Sequence, residues 1–477
     1  MSDVGREAAG TRVESDSLGE IQVDGTRYWG AQTERARANF AIGDRGFDRR
    51  FLRCYGLLKR VAAESNRELG ELTEPIAGWI AAAADELARG DFDDEFPLQV
   101  WQSGSGTQTH MNVNEVVAGR ANELAGRPRG GKSPVHPNDH VNRGQSTNDT
   151  FPTVMHVACA IELNEALLPA LDRLHARLRE RSAAFGDVMK IGRTHLQDAT
   201  PLTLGQEIGA WATQVGLARE PIVASLSRIR RLAIGGTAVG TGLNAHPRLG
   251  ERIASRLGEE TGIAFEVAPD RFAALAGHEP LVELSGGLNT LACALLKLAN
   301  DVRWLSSGPR CGLGELSIPA NEPGSSIMPG KINPTQAEAL AMVCSRVFGN
   351  HVTVTMAAGQ GNLQLNVQKP VLIHALLESL VLLADAMTSF EIHCLRGLEP
   401  RLDRVAEHVE QSLMRVTALA PHIGYDAAAR IAKDAHDRGV TLRAAALDSG
   451  LVTEAQFDEW TAADRLLGRS TAGSETR

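Results

Sequence analysis

Aromatic residues are scarce in this chain: Phe, Trp and Tyr together make up 4% of its 477 residues, and only three are Tyr. Strands favour aromatic and β-branched side chains, so this scarcity, set beside abundant Ala and Leu, argues for close-packed helices over sheets. Cysteine is thin and scattered: Cys54, Cys159, Cys293, Cys311, Cys344 and Cys394 lie far apart with no C-x-x-C pair. That spacing excludes a disulfide frame and a cysteine zinc site, and it predicts reduced, mostly buried thiols in a cytoplasmic protein. Excess positive charge is missing too. The formal net charge of -9 argues against a general nucleic-acid binder, and Arg228, Arg230 and Arg231 read as a solvated helix face. The first twenty residues lack an apolar core and carry acidic side chains, unlike a signal or transit peptide. No charge-free apolar run is long enough to span a bilayer. Hydrophobic content of 43% and charged content of 22% are ordinary for a globular protein of two to four domains.

Helical periodicity is what the chain has in quantity. Leu284, Leu288, Leu291, Leu295, Leu298, Val302 and Leu305 alternate in steps of four and three, which keeps one face apolar. Leu204, Ile208, Trp211 and Val215 repeat the spacing, as do Leu167, Leu171, Leu174 and Leu178. Pro370 opens a segment, 371–390, that is apolar nearly all round and so expected to be buried on several sides. Such burial suggests an obligate oligomer. Three regions follow: 1–145, mixed and mainly helical, with a Gly/Pro-rich break at 126–138; 146–402, a central bundle of long helices; and 403–477, a small helical C-terminal domain with turns at 423–426 and 452–457.

Chemistry concentrates in a few polar loops. GSSIMPGKIN (324–333) cannot be a regular helix or strand, because Gly324, Pro329 and Gly330 break both. It suits a loop that closes over an anion: Lys331 supplies charge, Asn333 a neutral donor, and Ser325 and Ser326 hydroxyls. A polar surface turn is the plain alternative. In WQSGSGTQTHMNVNEV (101–116), Ser105 and Thr107 stand just ahead of an expected helix, whose free N–H groups favour carboxylates. In HPNDHVNRGQSTND (136–149), Ser146, Thr147 and Asn148 precede a helix expected near Phe151, and His136, Asn138 and Asp139 form a second polar cluster. Ser/Thr capping loops and surface histidines are the bland alternatives, and no histidine spacing supports zinc. GRTHLQDATPLTLGQE (192–207) sets His195 between Thr194 and a helix expected to start at Pro201. GGTAVGTGLN (235–244) invites a dinucleotide-binding reading, which fails because an Arg-rich helical stretch, not a strand, precedes it. A tight loop between helices is expected there.

These segments together resemble the class II (iron-independent) fumarases of the fumarase/aspartase superfamily, over nearly the whole chain from Arg12 to about Gly468. WGAQT (29–33) and HIGYDAAARIAKDAH (422–436) share the likeness. The loop at 324 alone marks only the superfamily; His195, where aspartases typically carry Gln, and the GSGTQ at 104–108 narrow it to the fumarase kind. The resemblance implies an all-α, three-domain fold whose central helices form a tetramer core, with active sites shared between subunits and no metal or organic cofactor. It implies reversible hydration of fumarate to L-malate in the tricarboxylic acid cycle. Ser325 would be the base that removes the C3 proton. His195 would be a proton donor and acceptor, with Glu338 as its charge partner. Lys331, Ile332 and Asn333, with Ser105, Gly106, Thr107, Ser146, Thr147, Asn148, Thr194 and Ser326, would bind substrate, and His136, Pro137, Asn138 and Asp139 would form a secondary dicarboxylate site.

The residue types suit that chemistry. Removing the C3 proton builds a dianionic aci-carboxylate, so a site must stabilise charge absent from the ground state. Serine is a poor base unless its alkoxide is stabilised, and backbone N–H groups of the Gly/Pro loop can do this. Some positions depart from the family's usual wording: Leu363, Gln364 and Gln368 replace Phe, Glu and Phe, His110 stands where Asn is common, and Gly144 where Ser is common. Two other readings compete. An aspartate ammonia-lyase would need an ammonium site and is opposed by His195; a non-catalytic protein of the same fold would be expected to have lost the loop chemistry.

Overall fold

The computed structural model describes residues 10–468. Residues 1–9, part of the stretch read as lacking a leader, and 469–477, the end of the expected C-terminal domain, lie outside it. The described chain is mainly helical, with five two-stranded sheets. It divides into two compact units: one comprises the chain up to Pro169 with Arg219–Ala292 and Ser345–Ala384, the other Ala170–Ala218, Cys293–Cys344 and the chain from Asp385 onward.

In the first unit, β1 (Thr11–Asp16) and β2 (Gly19–Asp24) pair as an antiparallel hairpin. Helices α1 (Ala31–Asn39), α2 (Arg49–Glu68), α3 (Glu74–Arg89), α4 (Thr107–Leu124) and α5 (Thr147–Glu162) follow. Gly30, at the N-cap of α1, has no side chain with which to cap it. The buried Glu115 of α4 does so instead, accepting N–H groups from Gly30, Gln32 and Thr33 at 2.9–3.0 Å and the Thr33 hydroxyl at 2.6 Å. This is where WGAQT lies. One cluster of aromatics lies where α2 meets α5: the Phe51 ring stands 5.5 Å from Tyr55, 5.2 Å from Phe151 and 4.7 Å from Phe47.

A π turn at Leu163–Leu167 joins α5 to α6 (Leu168–Ala184). Next come β3 (Met189–Thr194), β4 (Gln197–Thr203) and α7 (Leu204–Ile229), then α8 (Leu249–Thr261), α9 (Arg271–Ala276), α10 (Glu279–Leu305), α11 (Thr335–Ala358) and α12 (Lys369–His393). Helices α6, α7, α10, α11 and α12 pass from one unit into the other. The leucine seam of α10 is buried at every position, as are the shorter series on α6 and α7. On α12, Leu372, Ile373, Leu376, Leu380, Leu383, Met387 and Phe390 are buried, which accounts for its uniformly apolar sequence.

The second unit ends in α13 (Leu402–Gln411), α14 (Ala420–Ile423), α15 (Tyr425–Arg438), α16 (Leu442–Asp448), α17 (Glu454–Trp460) and α18 (Ala463–Leu466). These enclose a small core of Leu419, Ile431, Leu442, Ala446 and Phe457.

Several expectations need correcting. The helix expected at Pro201 starts at Leu204, because 197–203 is strand β4. Pro201 pairs opposite Ile191 beside a bulge, on a two-stranded ribbon with an open edge where a missing N–H is tolerated. The helix expected near Phe151 starts at Thr147, through a capping box between Ser146 and Asp149. Thr107 is likewise the first residue of α4 and not ahead of it. The turn expected at 452–457 is the start of α17, where Thr453 and Gln456 form a second capping box. Helix α7 ends at Ile229, so Arg230, in a turn, and Arg231, in a two-residue strand, share no helix face with Arg228. Three helical stretches, Thr147–Ala184, Glu279–Leu305 and Lys369–Gly397, are long and apolar enough by composition to cross a membrane, but 67%, 50% and 56% of their apolar windows are buried inside the protein. Of the six free cysteines, Cys293 and Cys311 are exposed and the other four buried.

Candidate active site

In the first unit, two helix N-termini meet. Gly106 caps α4 in a left-handed turn, with φ of +84° and no side-chain cap. The loop before it is tied by hydroxyls: Ser105 Oγ lies 2.7 Å from Thr107 Oγ1 and 3.0 Å from Ser103 Oγ. Gly104 abuts the chain near α12. Its carbonyl accepts the Lys369 N–H at 3.0 Å, and a Cβ there would lie 1.3 Å from the Val367 carbonyl oxygen. At the second terminus, Asp149 is fully buried and accepts backbone N–H groups from Ser146 (2.9 Å), Gly235 (3.0 Å) and Thr237 (2.9 Å). Burial raises its pKa to about 6, against the pull of those donors. Asn148 Nδ2 donates to the Ala238 carbonyl at 2.8 Å. The loop at 235–244 is thus clamped onto α5. A two-residue strand does precede it, but the Gly235 and Thr237 N–H groups are spent on Asp149 and not free to cradle a phosphate.

His110 of α4 reaches across to α5, its Nδ1 2.8 Å from Thr147 Oγ1. Ser105, Gly106 and Thr107 are therefore brought together with Ser146, Thr147 and Asn148. The expected second dicarboxylate cluster is a π turn at Pro137–Val141. His136 Nδ1 accepts the N–H groups of Asn138 and Asp139 at 3.1 and 3.2 Å. An accepting Nδ1 carries no proton, so its 3.5 Å approach to the Asp139 carboxylate is a proximity and not an ion pair.

In the second unit, His195 occupies the tip of the β3–β4 hairpin. Thr194 pairs with Gln197, and His195 and Leu196 between them have φ of +56° and +61°. Two consecutive left-handed residues define the hairpin turn that matches strand twist, and the conformation is costly for residues with a Cβ. The imidazole is held out, exposed, on this strained tip. Behind it, the buried Glu315 anchors the hairpin. Its carboxylate lies 2.7 Å from Arg193 Nη1, 3.0 Å from Lys190 Nζ and 3.1 Å from His408 Nδ1. Lys190, itself 2% exposed, also meets Glu207 at 2.8 Å.

The segment 324–333 forms a closed loop in the same unit. Gly324 N–H donates to the Lys331 carbonyl at 3.0 Å, and Asn333 Nδ2 donates back to the Gly324 carbonyl. Ser325 Oγ accepts two backbone N–H groups, from Met328 at 3.0 Å and Ile327 at 3.3 Å. Ser326 and Lys331 are exposed. Lys331, Ile332, Asn333 and Glu338, in the first turn of α11, line one cavity of about 430 Å³ with Arg303 and Trp304. Among the described residues, no hydrogen bond joins His195 to Glu338 within one chain.

Sequence reading missed Lys59, a fully buried lysine of α2 at the back of the first cluster, and Glu315. The signal for Lys59 was a lone cation on the face of α2 that also carries Tyr55 and Ala62.

A chain of long helices carrying these hydroxyl, amide and ammonium loops has the makings of a lyase, and the sequence pattern of the family described as Lyase matches residues 19–349. The pattern described as Fumarase C C-terminus matches residues 416–468. The chain is 57% identical over 457 residues to a Pseudomonas aeruginosa protein named fumarate hydratase class II 1, covering 96% of this chain and 98% of that one. It is 56% identical over 449 residues to fumarate hydratase class II of Thermus thermophilus, covering 94% and 96%. Among solved structures, a class II fumarase from Schistosoma mansoni superposes with a TM-score of 0.92 at 45% identity, covering 95% of this chain and 98% of that one. The chain belongs to the class II fumarate hydratase family.

Proposed function

We propose that this protein catalyses the reversible hydration of fumarate to L-malate, as a carbon–oxygen lyase of the tricarboxylic acid cycle, and that Ser325 is its base. The observation that carries the reading is the pair of backbone N–H groups aimed at Ser325 Oγ, from Ile327 and Met328. Deprotonated serine needs such donors, and each well-aimed one is worth about 3 kcal/mol to a developing oxyanion. Ser325 takes the C3 proton of malate. Lys331 and Asn333, with Ile332 and Ser326 beside them, hold the carboxylate on which the aci-carboxylate charge builds. Ser105, Gly106, Thr107, Ser146, Thr147, Asn148 and Thr194 bind the rest of the dicarboxylate, the first six at two helix N-termini that favour anions. His195 handles the proton at the hydroxyl end, and Glu338 orients and charges it. His136, Pro137, Asn138 and Asp139 take a second dicarboxylate.

The working form is a homotetramer whose central domain, 146–402, supplies the core and whose sites draw on neighbouring subunits. Leu217, Trp304, Met342, Val352 and Met356 support this: each is a large apolar side chain on a long helix, between 54% and 68% exposed in the single chain. So does the exposed His195, whose partner Glu338 would then come from another subunit. Six unpaired cysteines fit a reducing cytoplasm.

Absorbance of the conjugated double bond tests the reading. Purified protein given L-malate should produce fumarate promptly, and L-aspartate should give none. Fumarate from aspartate alone would make the protein an ammonia-lyase; no product from either would end the catalytic reading.

A further inference from the structure

Thr147 opens α5, and its hydroxyl is the end of a buried chain of hydrogen bonds. His110 Nδ1 lies 2.8 Å from Thr147 Oγ1, and His110 Nε2 lies 2.8 Å from Lys59 Nζ. In its ammonium form Lys59 has donors only, so Nε2 accepts. Asn114 Nδ2, another donor, is 3.4 Å from the same nitrogen. A neutral imidazole that accepts at Nε2 carries its proton on Nδ1, so the ring donates to Thr147. Burial, reinforced by the charge of Lys59, holds His110 well below its ordinary pKa and therefore neutral. Burial lowers the Lys59 pKa to about 7, and against that pull stand the charge of Asp149 and two further acceptors, Gln145 Oε1 at 2.9 Å and Asn142 Oδ1 at 3.4 Å, which favour its charged form. The Tyr55 ring lies nearly parallel to the imidazole, at 17° and 5.8 Å, and restricts its rotation.

We propose that His110, seated on Lys59, is a positioning residue that fixes the Thr147 hydroxyl as a dedicated donor to a substrate carboxylate. The proposal rests on the reading above that Thr147 faces the dicarboxylate. A free threonine hydroxyl rotates and presents lone pairs as readily as its proton. Here one acceptor site is filled by Nδ1–H, and the hydroxyl proton has no other partner among the described residues. It is left to point at an incoming anion. Lys59 never touches the substrate, yet it polarises the imidazole and strengthens the donor at the far end of the chain.

The test is a coupling experiment on the intact oligomer, with fumarate and L-malate as the ligands. His110→Gln keeps an acceptor near Lys59 and loses the donor to Thr147; it should raise KM for both substrates roughly tenfold, with a smaller change in kcat. His110→Asn places an amide donor near the position of Nδ1 and should stay within about threefold of the unmodified enzyme. Added to Thr147→Val, His110→Gln should have no further effect, because the interaction it removes is already gone. An unchanged KM in His110→Gln, equal impairment in His110→Asn, or full multiplication of the His110→Gln and Thr147→Val effects overturns the proposal. Failure of the unmodified enzyme to turn over either substrate is a different result, which removes the functional reading before any variant is made. Should the His110 variants fail to fold, neutron crystallography of the unmodified protein replaces them: deuterium on Nδ1 supports the assignment, and deuterium on Nε2 refutes it.

Discussion

Arg193 Nη1 lies 2.7 Å from Glu315 Oε1, and the Glu315 side chain is only 1% exposed. This pair fixes the strand two residues ahead of His195. Burial alone would raise the carboxyl pKa, but Lys190 and Arg193 outweigh it and hold Glu315 below the usual carboxylate range. A depressed folded pKa gives stability that is complete above the unfolded value and lost as pH falls through the folded one. The hairpin should therefore weaken below about pH 4. Glu315→Gln should cost about 3 kcal/mol at neutral pH, because it leaves buried cations short of their partner. Denaturation midpoints measured against pH check both: the variant should be less stable at pH 7 and should lose less on acidification.

Ser325→Ala should lower kcat roughly a thousandfold, the order of a general base, while oligomeric mass and thermal midpoint stay unchanged. The side chain is only part-buried and its removal breaks loop bonds alone. Stopped assays and light scattering on the same sample decide it; near-normal turnover would remove Ser325 from the base role.

His195→Asn should cut kcat roughly a hundredfold and change the shape of its pH profile. Asparagine is the informative replacement, because it adopts positive φ more readily than most residues and so preserves the hairpin tip. Loss of rate with an intact fold then reports the imidazole. An unchanged pH profile would count against proton transfer there.

Lys331→Ala should raise KM for fumarate and L-malate at least about tenfold, the weight of a charge-assisted hydrogen bond to a carboxylate. Lys331→Arg should recover part of this and not all, since a forked guanidinium does not replace a point charge in a fitted cavity. Steady-state kinetics at fixed ionic strength are sufficient, and unaltered constants would place the carboxylate elsewhere.

The long helices were plain in the sequence because their apolar positions are either periodic, as in the seam from Leu284 to Leu305 that lies wholly on α10, or continuous, as on α12. The start of α5 was misplaced and that of α17 read as a turn for a single reason. Ser146 with Asp149 and Thr453 with Gln456 are capping boxes, and capping residues have the composition of loops. The β3–β4 hairpin was misread through Pro201, whose usual place at a helix start masked its alternative at an open strand edge. The candidate site loops stood out in the sequence through unusual crowding of hydroxyls and amides. Lys59 and Glu315 did not, because what makes them matter is partners 51 and 122 residues distant in the chain, His110 and Arg193.

The contact between Gly104 and the Val367 carbonyl bears on which sequences this architecture can explore. With no room for even one methyl group, the loop before α4 and the approach to α12 have to change together or not at all. Gln364 and Gln368 differ from the family's usual residues, yet both side chains face solvent in the single chain. Change is thus channelled into side chains: within the single chain a lineage, or a directed-evolution library, can alter the exposed side chains of this segment while its backbone stays locked against Gly104.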